Sequence, residues 1–337
     1  DRTSRGLGDV YKRQTLGDPA GVGPEVVLKT VLTTPQPKHP WILIGSLWSL
    51  QRSAGALGLP MPDIDEINSI AEATAPVSLL QPGACPAPAD FAFGKVQVAC
   101  GELAVRSVEF AARACLAAEV SAMVTAPIHK EAIHAAGYVD DIGHQEILAR
   151  LAGVNQTATM LMTSGLKVVH LSTHKSLADA VKFVRRDTVL DKLQLMHDTL
   201  TRWGMQQPRI ALAALNPHGG EGGLLGKEEA QELQPAVAAA VELGIDVTGP
   251  VPADSVFNRA IGGEFDVVLA LYHDQGHIAI KVHNFHQSTT ATLGIPFVRT
   301  SVDHGTAFDI AGKGQADPTG LAAAVDAAEA IVDGRLS

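Results

Sequence analysis

The chain has only three cysteines, Cys85, Cys100 and Cys115, and no C-x-x-C spacing. An odd, scattered set supports neither a disulfide framework nor a zinc ribbon, so all three are read as small core residues. Aromatic residues make up 4% of the 337 positions while alanine and glycine are plentiful, as in α/β enzymes whose helices lie close on a Val/Ile/Leu sheet. There is no run of about 18 apolar residues and no secretory-leader pattern, so neither a helical membrane span nor export is expected, and the cytoplasm is the expected location. Basic residues are the minority, 26 against 36 acidic, for a net charge of -10. Nucleic acid and anionic membranes are therefore not expected as partners, and an anionic ligand must be met by local groups. Internal repeats and low-complexity tracts are also missing.

With 46% hydrophobic residues the chain can bury a large core, in two domains rather than one. The opening "DRTSRGLGDVYKRQ" is polar and basic where a strand is expected, so residues 1–14 are read as a non-native leader outside the fold. From Thr15 the order is strand, loop, helix, repeated. "GDPAGVGPE" is a strand-to-helix turn, with Pro24 at a first helical position and Glu25 complementing the helix start. "WILIG", "SAMVTAP", "LKVVHLSTH", "RIALAALNPH" and "FDVVLALYHD" are short β-rich runs separated by helical stretches. This alternation predicts mainly parallel sheets covered on both faces.

Three of those runs end alike, with His174 after "VVHLST", His218 after "ALAALNP" and His273 after "VLALY". Ligands gather outside the carboxyl ends of parallel strands, so three imidazoles leaving three such ends can converge on a divalent ion. Three protein ligands leave positions open for water or a chelating substrate, the arrangement of a catalytic rather than a structural site. Zn²⁺, Co²⁺, Mn²⁺, Ni²⁺ or Mg²⁺ are the ions to consider. The plainer alternative makes each histidine an ordinary loop residue.

Four glycines in "NPHGGEGG" let backbone approach a ligand closely, unless the stretch is merely a flexible loop. Asp274 follows a candidate ligand and suits the role of its orienter. Lys281, beyond "IAI", suits proton transfer or an anion contact, though a solvated surface lysine reads the same way. "GHQEIL" places His144 and Gln145 at a helix start, where a substrate oxyanion or a simple cap belongs. The long polar segment "FVRTSVDHGTAFDIAGKGQADP" (297–318) has the length of a functional loop. There His304 and Gly305 can lie along a nucleotide, and Asp309 can accept from a ribose hydroxyl, which favours NAD.

Taken together, "TLGDPAGVGPE", "TAPIHKEAIHAAG", "LNPHGGEGG", "GPVPAD", "YHDQG" and "RTSVDHGTAFDIAGKG" resemble the 4-hydroxythreonine-4-phosphate dehydrogenase family of pyridoxine biosynthesis over residues 15 to 333. The resemblance implies two α/β/α domains with an interdomain cleft, similar to isocitrate and isopropylmalate dehydrogenases. The implied division is 15–124 plus 290–337 on the cofactor side and 125–289 as the metal- and dimer-forming part. It also implies a homodimer with its active site at the subunit interface, NAD on His304, Gly305, Thr306, Asp309 and Ile310, and one metal ion on His174, His218 and His273 from both subunits. Substrate contacts carry over to His144, Lys281 and Arg299, with Lys281 and Asp274 as the catalytic candidates.

Two positions depart from the family pattern. Gln145 stands where threonine is usual, and Thr290 where asparagine is usual, both in the expected substrate shell. His277 resembles the branch that oxidises phosphorylated four-carbon sugar acids, 4-phosphothreonate and 4-phosphoerythronate. The expected reaction is NAD-dependent oxidation of a secondary alcohol in a small anionic hydroxy acid, followed by decarboxylation where a β-keto acid results. An aromatic-carboxylate cis-dihydrodiol is the alternative substrate. Two rivals of other classes are a non-catalytic sensor and a zinc hydrolase, since His273 and His277 stand four apart as in H-E-x-x-H. That motif needs a helix with a glutamate base, whereas a strand-like run, Gly276 and Asp274 are expected here.

Overall fold

The computed structural model describes residues 12–34 and 36–336. It divides into two compact units, one of the described residues through Asn155 with Ile295–Glu329, the other of Gln156–Gly294 with the residues from Ala330 on.

In the first unit the elements are β1 (Lys12–Thr15), α1 (Gly23–Thr33), β2 (Trp41–Ile44), α2 (Leu47–Leu57), β3 (Asp65–Ile67), β4 (Val77–Leu80), α3 (Val98–Leu116), β5 (Ala122–Thr125), α4 (Lys130–Ala135) and α5 (His144–Ala152). In the second they are β6 (Ala158–Thr163), β7 (Leu166–His170), α6 (Leu177–Phe183), α7 (Arg186–Arg202), β8 (Ile210–Ala213), α8 (Gln234–Glu242), β9 (Val247–Val251), α9 (Ala253–Ile261), β10 (Val267–Ala270), α10 (His273–His283) and β11 (Thr289–Leu293). Strand β12 (Val298–Val302) returns to the first unit, and α11 (Thr319–Val332) closes the order.

The first unit's strands run β3-β4-β2-β1-β5-β12, every pair parallel. Every residue of β2, β4 and β5 is buried. Successive side chains point to opposite faces, so helices must cover both, as the alternation predicts. In the second unit the order is β11-β6-β7-β10-β8-β9, with β11, β6 and β7 antiparallel to one another in turn and β7, β10, β8 and β9 parallel.

Three local readings change. Strand β1 begins inside the segment set aside as a leader and lies in the middle of its sheet, between β2 and β5. Its position is dictated by neighbours: both flanking strands offer free ladder groups, and the chain just before "TLGDPAG" fills them. There Gln14 is 2% exposed, with neither of its side-chain polar atoms partnered. Helices α4 and α5 go with the first unit, not with the metal-side segment, because Ile133, Ile147 and Leu148 share a core with Val105 and Val108 of α3. Strand β11, with Thr290, pairs with β6 in the second unit.

Cys100 and Cys115 are buried and Cys85 is half-buried, and none of the three is in a disulfide. Among the described residues no helix is long and apolar enough to cross a membrane.

Candidate active site

The strands that precede the three expected metal histidines, β7, β10 and β8, are adjacent and parallel, so their carboxyl ends share one rim. His174, His218 and His273 all lie just past those ends and are exposed. Gln275, nearly buried, ties the rim together: its Oε1 accepts from the Leu271 N–H at 2.7 Å and its Nε2 donates to the Ala214 carbonyl at 2.7 Å. The exits of β10 and β8 are thus held by one side chain.

His273 does not continue a strand. Strand β10 ends at Ala270 and His273 opens helix α10, contrary to the expectation that Gly276 keeps this stretch from being helical. The cost of glycine in a helix, about 1 kcal/mol, is outweighed by a close approach. A Cβ at Gly276 would stand 2.3 Å from His170 Nε2 and 2.7 Å from Val168 Cγ1, so only glycine lets α10 lie against the end of β7. His273 and His277 therefore do stack one turn apart, ring centroids 3.7 Å and planes 10° apart. The helical condition of a zinc-hydrolase motif is met, but its glutamate is not. Asp274 instead turns back, its Oδ1 2.7 Å from His273 Nδ1.

That contact bears on the metal. An imidazole whose Nδ1–H is held by a carboxylate presents Nε2 as a basic ligand. His218 is held the same way, its Nδ1 2.5 Å from Glu221 Oε1, which raises its pKa. The residues around it have positive φ from His218 to Gly222, with the non-glycine His218 at 53° and Glu221 at 43°. Glu229 holds the entrance of this loop, accepting from the Leu215 and Asn216 N–H groups and from Asn216 Nδ2 at 2.9, 2.7 and 2.8 Å. The donor set of His174, His218 and His273 therefore fits a first-row divalent ion. Among the described residues of one chain, no three His, Cys, Asp or Glu side chains stand together as a complete metal site. Lys281 lies further along α10, its Nζ 5.0 Å from the Phe285 ring centre. Thr290 is buried within β11.

In the first unit, Arg299 on β12 is 5% exposed, and burial pushes its pKa down to about 10, so it remains a cation at neutral pH. His144 opens α5. Burial, then the charge of Arg299, holds its pKa well below the usual histidine value, against a hydrogen bond to the Ala126 carbonyl. Its Nε2 is buried and has no partner. A neutral ring that gives its one N–H to a carbonyl presents a lone pair at the other nitrogen. In that form Nε2 of His144 can accept a hydrogen bond. Gln145 follows it, half-buried, in the first turn of the same helix.

The expected cofactor segment is firmly seated. The Val22 N–H donates to the Thr306 carbonyl at 3.0 Å. Lys29 Nζ donates to the carbonyls of Gly314 and Ala316, and the buried Glu25 accepts from the Ala316 N–H at 3.0 Å. His129 stacks on Phe308 with ring centroids 4.1 Å apart. His304 and Asp309 remain exposed, Gly305 has open space where a Cβ would stand, and Ile310 turns back on Ala307. An anchored loop with an open glycine and an outward carboxylate fits a dinucleotide.

His170, Gln275, Glu229 and Thr125 carry no role that the sequence alone assigns. His170 and Thr125 end apolar strands while Gln275 and Glu229 lie in polar stretches, and each acts through a partner on another element or loop, a relation that composition does not carry.

A profile of the family described as pyridoxal phosphate biosynthetic protein PdxA matches residues 37–328. The chain is 43% identical over 313 residues to a 4-hydroxythreonine-4-phosphate dehydrogenase of Beijerinckia indica, covering 93% of this chain and 92% of that one. It is 42% identical over 323 residues to a D-threonate 4-phosphate dehydrogenase of Salmonella typhimurium, covering 92% and 95%. The crystal structure of a 4-hydroxythreonine-4-phosphate dehydrogenase from Klebsiella pneumoniae matches with a TM-score of 0.89 at 38% identity, covering 96% of this chain and all of that one.

Proposed function

Because the chain belongs to the pyridoxal phosphate biosynthetic protein PdxA family, we propose that it is an NAD- and divalent-metal-dependent dehydrogenase of a small phosphorylated hydroxy acid. The relatives above are named as dehydrogenases. The substrates to test first are 4-phosphothreonate, 4-phosphoerythronate and 4-hydroxythreonine 4-phosphate. The observation that carries the reading is the rim of β7, β10 and β8, where His218 and His273 are exposed and each has Nδ1 held by a carboxylate, which leaves Nε2 as the ligating nitrogen.

A divalent ion held by His174, His218 and His273 of two subunits supplies Lewis acidity toward the alcohol, and NAD supplies the hydride acceptor. Asp274 and Glu221 keep their histidines in the ligating tautomer. Lys281, as the neutral amine, would take the proton that the alcohol loses, while the hydride would carry both electrons from the carbinol carbon to NAD. Arg299 binds the phosphate or carboxylate by charge-assisted hydrogen bonds, and His144 accepts from a substrate hydroxyl. Gln145, beside His144, and Thr290, on β11, are further candidate substrate contacts. His304, Gly305, Thr306, Asp309 and Ile310 lie along NAD, with Asp309 on a ribose hydroxyl. The exposed apolar residues Ile278, Val282 and Phe285, on and just beyond α10, suit contact with a second copy of the chain.

The test is NADH formation on a panel of the three phosphorylated acids and a cis-dihydrodiol of an aromatic carboxylate. Turnover of a phosphorylated acid, lost on chelation and restored by Zn²⁺, Co²⁺ or Mn²⁺, is expected. Absence of turnover with every phosphorylated acid, metal supplied, overturns the proposal.

A further inference from the structure

Arg299 is a buried cation, and a flexible side chain of that length needs something to aim it. Strand β12 pairs in parallel with β5, in a register that sets Arg299 opposite Met123 and Ser301 opposite Thr125. Arg299 and Ser301 are two apart, so they share one face of the sheet, and the guanidinium reaches along that face toward Thr125 at the end of β5. There Arg299 Nε and Nη2 both donate to Thr125 Oγ1, at 3.0 and 2.6 Å.

The directions of the bonds at Thr125 Oγ1 follow from the groups themselves. A guanidinium only donates, and a hydroxyl has two acceptor positions and one proton. Both acceptor positions of Thr125 Oγ1 are taken by Arg299, so its proton goes to Ser301 Oγ at 2.9 Å. Ser301 in turn gives its proton to the Thr125 carbonyl at 2.8 Å. The ring closes on the residue where it began. Thr125 is fully buried and Ser301 nearly so, and water does not compete. The partner is a hydroxyl, and the paired contacts fix the Nε–Nη2 edge of the guanidinium. The next residue, Ala126, holds His144 by its carbonyl. The end of β5 therefore contacts both Arg299 and His144.

We infer that Thr125, closed by Ser301, is a positioning residue that aims Arg299 at the anionic group of the substrate. The inference rests on the reading of Arg299 as a substrate contact, and the variants separate the two. Thr125→Val keeps the shape and removes the hydroxyl. It should raise KM for 4-phosphothreonate by about tenfold or more, the scale of one charge-assisted hydrogen bond, while kcat changes by less than about threefold. Thr125→Ser should restore KM to within about threefold, and Ser301→Ala should fall between. Calorimetric binding of 4-phosphothreonate to the metal-free protein should weaken in the same order. The Arg299 Nε–H resonance, assigned by its loss in Arg299→Met, should broaden away in Thr125→Val.

A folded Thr125→Val protein with native KM and an intact resonance overturns the inference. If Thr125→Val fails to fold, Ser301→Ala decides, and a native KM there overturns it equally. If Arg299→Met itself leaves KM and binding unchanged, it is the reading of Arg299 that fails. Arg299→Met raising KM beside an unaffected Thr125→Val defeats the positioning role alone.

Discussion

Nε2 of His170 lies 3.1 Å from Nδ1 of His277, joining the end of strand β7 to helix α10 one turn beyond His273. His170 is 3% exposed and its Nδ1 has no partner, so this contact with His277 is what its ring makes of its position. Neither residue is near the other in sequence, and Gly276 alone leaves room for them to meet.

Gly276→Ala therefore tests the contact. Its Cβ would fall 2.3 Å from His170 Nε2, so α10 must move off β7. Overpacking of this kind costs about 1–3 kcal/mol. A lower urea midpoint with reduced activity is expected. Unchanged stability would show that the helix has slack at this point.

The acid limb of the stability curve follows from His170. Burial first, then the neighbouring His277 and His273, push its pKa from the ordinary 6.5 to about 3. Above pH 6.5 the ring is neutral whether the chain is folded or not. Between 6.5 and 3 only the unfolded chain takes the proton, so stability is lost as pH falls through that window. By pH 5.5 this amounts to about 1.4 kcal/mol. Asp18 has the opposite sign, since burial raises its pKa from 3.8 to about 6 and its contribution is lost as pH rises through that range. Urea titrations of metal-free protein at pH 7.5 and 5.5 should show His170→Leu losing about 1.4 kcal/mol less than the parent chain between the two. Equal losses would place the titration elsewhere.

Gln14 occupies a central strand with both polar side-chain atoms buried and unpartnered. Leaving such groups unsatisfied costs about 1–3 kcal/mol. Gln14→Leu should raise the unfolding free energy by about that much, read from the denaturant midpoint at constant m. A neutral result would mean that ordered water satisfies the amide.

Metal affinity should depend on Glu229, which touches no ligand. Its carboxylate holds the backbone at Leu215 and Asn216, just before His218. Glu229→Gln replaces one accepting oxygen with a donor facing donors. Chelator competition should show divalent-ion affinity falling by about 10- to 100-fold, the range for supporting residues around a metal, with secondary structure retained. Unaltered affinity would show that the loop holds its shape without this carboxylate.

Parallel strands buried on both faces were legible from unbroken apolar runs such as "VVLA" and "WILI", because strands covered on both sides cannot alternate. The placement of His174, His218 and His273 just beyond three such runs was legible for the same reason. The helix at His273 was not. Gly276 reads locally as a breaker, and the group that compensates it, the ring of His170, is supplied from a distant strand. Residues 12–14 fall in the polar stretch read as a leader, but pairing to β2 and β5 overrides composition.

What the amino-acid order determined alone is the family, the α/β class and the kinds of group available for chemistry, since these depend on local periodicity and on ordered motifs. What only the tertiary structure decided is which groups meet. It placed β10 between β7 and β8, closed Arg299 onto Thr125 and Ser301, and turned His144 into a hydrogen-bond acceptor. Strand order and register bring these residues together across long stretches of chain, and no local pattern records either one.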